Sequence, residues 1–194
     1  MLSNIIPCVH RSNSMDRCAR VERVVMAGRL LLFPWKISIF EKRKTTMLKI
    51  GDKMPSFEVV DQDGKTVKSE DFIGKKTIIY FYPKDNTSGC TAEACSFRDN
   101  YAVLTEQGYN VVGVSKDSAK SHSGFRAKYE LPFRLLSDIS TQMLQAFGAW
   151  GEKKMYGKTV MGTLRRTFIF NEAGILERII EKVDTKNAAG QILM

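Results

Sequence analysis

Residues 76–82 are the segment that most limits what this chain can fold into. Their sequence, KTIIYFY, is almost entirely β-branched or aromatic, and it stops at Pro83. Because a strand's side chains alternate between two faces, a run that is apolar on both faces must be covered on both. The segment therefore predicts a central strand, buried inside a sheet that carries further layers on each side.

Strand and helix patterns alternate after this central strand. Apolar residues recur at spacings of three and four from Cys90 to about Glu106, which predicts a helix, and residues 110–115 are typical of a second buried strand. The same reading predicts a helix at 118–130, a strand at 133–136, a short helix at 141–150, strands at 165–170 and 175–183 joined by a turn, and a last helix opened by residues 184–186. This order predicts an α/β fold that is thioredoxin-like in outline, with a mixed central sheet flanked by helices on both faces.

Positive charge is concentrated near the start of the chain. The 194 residues carry 30 Lys+Arg against 21 Asp+Glu, a formal net charge of +9. Residues 1–46 hold nine of these bases and three of the acids, so residues 47–194 hold 21 and 18, a balance of only +3. We expect a basic extension over 1–46, disordered or not native to the protein, followed by one domain over 47–194. A targeting segment and a basic surface-binding arm remain alternatives for the extension.

The composition also argues against two kinds of partner. Nucleic-acid binding by residues 47–194 lacks its main electrostatic support, and no run of 18 uninterrupted apolar residues predicts a membrane span. Four cysteines are too few for a disulfide scaffold. Cys8 and Cys18 lack ligand-like spacing with His10, and His122 stands alone in the sequence, so we expect no metal site.

The informative segment is 83–95, PKDNTSGCTAEAC, which lies between the central strand and the following helix. In open α/β sheets, sites are built at the carboxyl ends of strands. With Thr87 or Ser88 as the N-cap, Cys90 falls in the first helical turn, where free backbone N–H groups and the helix dipole stabilise a thiolate. A thiolate of this kind attacks the O–O bond of a peroxide and becomes a sulfenic acid. The alternative is a buried cysteine that packs as a small apolar residue, against which its polar surroundings argue.

Cys95 lies five residues after Cys90. In an intact α-helix their Cα atoms are about 8.5 Å apart, whereas a disulfide needs a separation under about 7 Å. The two cysteines can therefore pair only if the helix unwinds locally. A core-facing helical cysteine is the alternative for Cys95, and the absence of a Cys-x-x-Cys motif counts against a plain disulfide oxidoreductase.

The pattern Pro83-x-x-x-Thr87-x-x-Cys90 resembles the active-site motif of the peroxiredoxins, and the TAEAC that follows resembles their Q branch, also called bacterioferritin comigratory protein. Further matching stretches are 80–85, 113–117, 136–138 and 150–157, and the resemblance covers about residues 47–191. It implies a thiol peroxidase that reduces hydrogen peroxide and organic hydroperoxides. It also implies that Cys90 is the peroxidatic nucleophile and Cys95 the resolving cysteine, which together form an intramolecular disulfide.

The resemblance implies roles for three further residues. Thr87 would hydrogen-bond the thiolate and the peroxide, Pro83 would shield the pocket from water, and Arg165 would be the pocket arginine. An arginine near a thiolate stabilises it, together with the charge that develops on the leaving oxygen. Arg166 competes for this role because neighbouring strand residues point to opposite faces, and an exposed strand arginine is the alternative for either.

Glu93 and Trp150 also match the family, although core packing and an exposed, solvated position explain these two residues equally well. The resemblance further implies thioredoxin or a similar dithiol as reductant, no metal, haem or flavin, a monomer or weak dimer, and a reducing, cytoplasmic setting.

Two other functional classes stay open at this point. A thiol–disulfide oxidoreductase acting on protein disulfides would react with disulfides without fast peroxide consumption. A non-enzymatic binding module would depend on residues 1–46 and not on Cys90.

Overall fold

A computed structural model describes residues 47–155 and 157–194. The expectations for residues 1–46, including Cys8, His10 and Cys18, lie outside the described residues. The strands in the described part are β1 (Glu58–Asp61), β2 (Thr66–Lys68), β3 (Lys76–Phe81), β4 (Tyr109–Ser115), β5 (Arg134–Ser137), β6 (Trp150–Met155), β7 (Lys158–Thr163), β8 (Arg166–Phe170) and β9 (Leu176–Ile180). The α-helices are α1 (Ser88–Asp99), α2 (Tyr101–Glu106), α3 (Ala119–Lys128), α4 (Gln142–Ala146) and α5 (Gly190–Leu193), with a 3₁₀ helix at Ser69–Phe72.

Seven strands form one mixed sheet in the order β2-β1-β5-β4-β3-β8-β9. Strands β3, β4 and β5 are parallel, whereas β1 is antiparallel to β5 and β8 is antiparallel to β3 and β9. Strands β6 and β7 form a separate hairpin. The mixed central sheet expected from the sequence is confirmed, and so is the thioredoxin-like class.

The central strand β3 is buried on both of its faces. Ile78 and Tyr80 pack with side chains of α1, α2, α3 and α5, whereas Ile79 and Phe81 pack with α4 and the 3₁₀ helix. All four side chains are fully buried. The alternation of apolar residues in β3 thus produces two cores, one on each side of the sheet.

The predicted helix from Cys90 to Glu106 is two helices. It begins earlier, at Ser88, and breaks at Asn100, where α1 ends and α2 follows. The side-chain amide of Asn100 donates to the backbone oxygen of Ser96 at 2.9 Å. Such a bond satisfies a carbonyl at the helix end and favours termination, a signal that apolar spacing does not carry.

Sequence reasoning missed two hairpins. Between β1 and β2, the Asp61 carboxylate accepts the backbone N–H groups of Asp63 and Lys65, each at 2.9 Å, and Gly64 has a φ of +77°. The second hairpin is formed by β6 and β7, and it begins where the predicted helix over 141–150 was wrongly extended. The helix α4 itself already ends at Ala146.

The last helix also begins later than predicted. Instead of opening a helix, Asp184 accepts the backbone N–H of Lys186 at 3.0 Å and forms a turn. Helix α5 begins at Gly190, and its Ile192 packs into the same core as α1.

Removing the ring of Phe147 is expected to destabilise the fold strongly. Phe147 is fully buried, and its ring centroid lies 5.2 Å from that of Phe81 and 5.6 Å from that of Phe168. We expect Phe147→Ala to lower the free energy of unfolding by about 3–5 kcal/mol, measured by urea denaturation at an unchanged m-value. The exposed Ile139 supplies a control, since Ile139→Ala should cost less than about 0.5 kcal/mol. Equal losses in the two variants would contradict the assigned core.

Candidate active site

Cys90 lies in the first turn of α1, directly after the loop that leaves β3. Thr87 is the N-cap residue, with extended dihedrals, and its carbonyl accepts the N–H of Thr91 at 2.8 Å. The Cys90 side chain is buried, with 1% of its surface exposed. Because the first N–H groups of a helix have no partner within the helix, the sulfur sits where backbone dipoles favour negative charge.

The guanidinium of Arg165 contacts the sulfur of Cys90. Its Nη2 donates to the Cys90 Sγ at 3.2 Å, and its Nη1 donates to a carboxylate oxygen of Glu93. Arg165 directly precedes β8, whose Arg166 pairs with Phe81 at the carboxyl end of β3. The antiparallel pairing of β8 with β3 therefore carries the arginine to the sheet edge at which α1 begins.

Arg165 keeps its positive charge in this pocket. Burial alone would lower its pKa, but the nearby Glu93 and Cys90 outweigh burial and raise the pKa above its usual value. Arg166 points elsewhere, because it donates to the Gly148 carbonyl at 2.8 Å and lies 3.6 Å from Glu181. Of the two competing arginines, Arg165 is the one that the structure places at Cys90.

Glu93 is fully buried on α1, one turn after Cys90. Burial raises the pKa of its carboxyl to about 7, although the Arg165 charge and hydrogen bond oppose the shift. Its second oxygen, Oε1, has no hydrogen-bond partner within the described part of the chain, and the same holds for the buried Tyr80 hydroxyl. Of the two interpretations left open for Glu93, the solvated one is wrong.

Thr87 and Pro83 complete the segment that the sequence singled out. The Thr87 hydroxyl donates to the Lys84 carbonyl at 3.0 Å, so its hydrogen is used within the loop and is not directed at the sulfur of Cys90. Pro83 is half-buried just beyond β3 and lines an open groove together with Trp150. Trp150 itself lies under the ammonium of Lys116, 5.0 Å from the ring centroid.

Cys95 is half-buried on the same helix as Cys90, and both are free thiols. Helix α1 runs unbroken through both positions, so the two cysteines are held at a helical separation of about 8.5 Å between Cα atoms. A disulfide between them requires the beginning of α1 to unwind.

A buried hydrogen-bonded pair behind the loop, Asp85 and His122, was missed at the sequence level. Asp85 accepts hydrogen bonds from the Tyr82 hydroxyl at 2.8 Å, from the Ser121 hydroxyl at 2.6 Å and from His122 Nδ1 at 2.9 Å. The other ring nitrogen, Nε2, faces the Leu136 carbonyl at 3.1 Å. Each ring nitrogen of His122 therefore lies within hydrogen-bond distance of an oxygen, Nδ1 of Asp85 and Nε2 of Leu136.

The charge of Asp85 fits this pairing. Although burial raises the pKa of Asp85, the hydrogen bonds from His122 and Ser121 outweigh burial and lower it. The backbone N–H of Asp85 also donates a hydrogen bond to the Asp117 carboxylate at 2.7 Å. The signal in the sequence that could have indicated this buried contact is His122. It lies three residues before the apolar Phe125, on the same buried face of α3.

Comparison with known proteins places this geometry in a family. Residues 50–179 match the AhpC/TSA family. Peroxiredoxin Bcp of Bacillus subtilis is 42% identical over 146 residues, covering 75% of this chain and 93% of the relative. Peroxiredoxin Bcp of Escherichia coli is 43% identical over 140 residues, covering 72% and 90%.

Solved structures agree with the sequence relatives. A structure of Xylella fastidiosa PrxQ superposes with a TM-score of 0.71 at 30% identity, covering 76% of this chain and 94% of that one. The bacterioferritin comigratory protein of Xanthomonas campestris, studied for alkyl peroxide reduction, gives a TM-score of 0.67 at 35% identity, covering 71% and 87%.

The chain therefore belongs to the AhpC/TSA family and is a peroxiredoxin, an oxidoreductase that uses a peroxide as substrate and depends on a reductant partner. Within the family it is similar to the Bcp, or peroxiredoxin Q, branch, as its motif indicated. Between residues 47 and 194, Tyr156 aside, no helix combines the length and apolar character needed to cross a membrane.

Replacing Arg165 is expected to slow the reaction with peroxide. We expect Arg165→Gln to lower the second-order rate constant for hydrogen peroxide by about 10²–10³-fold, because one preorganised donor is lost at the sulfur. Stopped-flow kinetics with thiolate ultraviolet absorbance measures both the rate and the ionisation of Cys90. Arg166→Gln is the matched control, with a loss below about tenfold. A larger loss for Arg166→Gln than for Arg165→Gln would contradict this assignment.

Proposed function

We propose that Cys90 is the peroxidatic cysteine of this enzyme. Its thiolate attacks the terminal oxygen of R–O–O–H, the O–O bond breaks, and the products are Cys90–SOH and the leaving alkoxide RO⁻. The observation that carries the proposal is the 3.2 Å hydrogen bond from Arg165 to a sulfur in the first turn of α1. A cation and the helix N-terminus both favour the thiolate, and thiolate character makes a cysteine reactive.

The neighbouring residues act on the same step. Arg165 stabilises the thiolate and the negative charge that develops on the leaving oxygen. Because the Thr87 hydroxyl hydrogen is donated to Lys84, the hydroxyl oxygen keeps its lone pairs to accept a hydrogen bond from a peroxide O–H. Pro83 covers the loop side of the pocket and limits the access of water.

Cys95 is proposed as the resolving cysteine. After the beginning of α1 unwinds, the Cys95 thiol attacks Cys90–SOH, which gives the Cys90–Cys95 disulfide and releases one water molecule. The half-buried position of Cys95 on the same helix supports this assignment, because only local unwinding is needed to bring the two sulfurs together.

A dithiol protein of the thioredoxin type is the proposed reductant, since exchange with two thiols regenerates both cysteines. We place the substrates among hydrogen peroxide and organic hydroperoxides, which is supported by the alkyl peroxide chemistry of the Xanthomonas relative. The proposed setting is the reducing cytoplasm, with the enzyme as a monomer or weak dimer. Residues 47–194 are the proposed catalytic domain.

Intact mass after one equivalent of hydrogen peroxide tests the two cysteine roles. The wild-type chain should lose about two mass units as the disulfide forms, whereas Cys95→Ser should gain about sixteen as Cys90 stops at the sulfenic acid. Cys90→Ser should show neither change. An unchanged mass in both the wild-type chain and Cys95→Ser would refute the proposal and favour disulfide exchange with proteins instead.

Deleting residues 1–46 tests the proposed domain boundary. Because the hydrogen bonds of Arg165 to Cys90 and Glu93 join residues within 47–194, the shortened chain should keep its peroxide rate constant within about twofold. Hydrogen peroxide consumption, with thioredoxin and its reductase as the electron source, gives the rate. Loss of activity on deletion, with full activity in Cys90→Ser, would identify the basic segment as the functional part.

A further inference from the structure

Arg165 is hydrogen-bonded to two acidic groups in this site. Arg165 donates through Nη2 to the Cys90 sulfur and through Nη1 to the Glu93 carboxylate. If the thiolate and the carboxylate are both ionised, two negative charges share one positive charge in a buried pocket. Burial makes an uncompensated charge costly, and one guanidinium compensates only one of these two negative charges.

Among the described residues, the other groups that face Glu93 add no second positive charge to the pocket. From β3 it is faced by Tyr80, whose pKa burial raises well above its usual value, so that the phenol stays neutral. Asp85, the next carboxylate, is committed to His122. Glu93 is therefore faced by Cys90 from its own helix, by neutral Tyr80 from β3 and by Arg165 from the start of β8.

The surroundings of Glu93 favour the protonated carboxyl while Cys90 is a thiolate. Its carboxyl is fully buried, and only one of its oxygens has a partner within the described residues. Burial raises its pKa to about 7, and a thiolate one helical turn away favours the protonated form further. When the thiolate becomes a neutral sulfenic acid, that repulsion disappears and Arg165 favours the carboxylate.

We propose that Glu93 stores the proton that the leaving alkoxide requires and gives it up as the Cys90 thiolate is consumed. The step is Cys90–S⁻ + ROOH + Glu93–COOH → Cys90–SOH + ROH + Glu93–COO⁻. One S–O bond forms and one O–O bond breaks, the thiolate is oxidised, the peroxide is reduced, and the total charge of the pocket stays constant. The inference rests on the proposed role of Cys90.

The proton returns when the cysteine pair is reduced. Exchange with a dithiol releases Cys90 as a thiolate beside Arg165, and the Glu93 carboxylate takes up a proton as that negative charge reappears. Glu93 does not touch the peroxide, so it acts by holding charge and by positioning Arg165. The stoichiometry does not depend on the number of groups through which the proton passes between Glu93 and the leaving oxygen.

Proton uptake during oxidation tests the inference. The full chain carrying Cys95→Ser is mixed with one equivalent of hydrogen peroxide in weak buffer with a pH indicator, at a pH where ultraviolet absorbance shows Cys90 as a thiolate. With Glu93 present, near pH 7, uptake should be clearly below one proton per Cys90. With Glu93→Gln added, the leaving hydroxide must be protonated from solvent, so uptake should be about one proton per Cys90.

The pH dependence separates proton storage from a purely structural role. As pH rises to about 9, Glu93 becomes ionised before the reaction begins, so uptake by the Cys95→Ser chain should climb to about one proton. Uptake in the Glu93→Gln chain should stay near one throughout. Glu106→Gln, an exposed carboxyl at the end of α2, is the matched control and should behave like the parent chain.

Equal proton uptake with and without Glu93 would overturn the inference, provided that both chains gain the mass of a sulfenic acid. Absence of that mass gain in the Cys95→Ser chain would instead overturn the proposed function, and the inference with it. A second measurement needs no change at Glu93. In the infrared difference spectrum of the Cys95→Ser chain, the band of a protonated carboxyl should disappear on oxidation, and its persistence would also refute the inference.

Discussion

The burial of β3 on both faces is the constraint on which the rest of the molecule depends. Because Ile78 and Tyr80 support one core while Ile79 and Phe81 support the other, the strand cannot shift its register without exposing a core. The packing of both cores therefore fixes the position of the carboxyl end of β3. The loop to α1 starts there, and β8 pairs there in the opposite direction, so Cys90 and Arg165 meet although 75 residues separate them.

Helix α1 serves two opposing needs. The formed helix places the sulfur of Cys90 at its N-terminus beside Arg165, whereas the proposed role of Cys95 requires its first turns to open. Its N-cap residue, Thr87, makes no side-chain capping bond, which leaves the helix start without a contribution typically worth about 1 kcal/mol. The Thr87 hydroxyl bonds Lys84 instead, while Arg165 contacts Cys90 and Glu93 near the start of the helix.

Sequence reasoning succeeded where the information is local. The apolar pattern of residues 76–82 predicted the central strand, and the spacing from Pro83 to Cys95 pointed to the helix start where Arg165 contacts Cys90. The family resemblance favoured Arg165 over Arg166, because strand alternation alone says only that the two arginines point apart. The break at Asn100 depends on one side-chain hydrogen bond, which apolar periodicity cannot register.

Contacts between distant parts of the chain could not be predicted from the sequence. Asp85 and His122 lie 37 residues apart, and their pairing depends on the place of α3 over the sheet. The burial of Glu93 was undecided because a lone acidic residue among small ones fits either side of a helix. The strands β6 and β7 were missed because their sequences, WGEKKM and KTVMGT, lack the apolar alternation that identifies β3.

The Asp85–His122 pair holds the loop before α1 against α3. In the loop before α1, Asp85 is hydrogen-bonded to Tyr82 just after β3, to His122 on α3 and to Asp117 just after β4. Asp85 precedes the first residue of α1, so in the proposed cycle the start of α1 unwinds while these contacts and the sheet stay in place. The helix then re-forms next to a held loop, so restoring the pocket is a short, local search and the core does not have to refold.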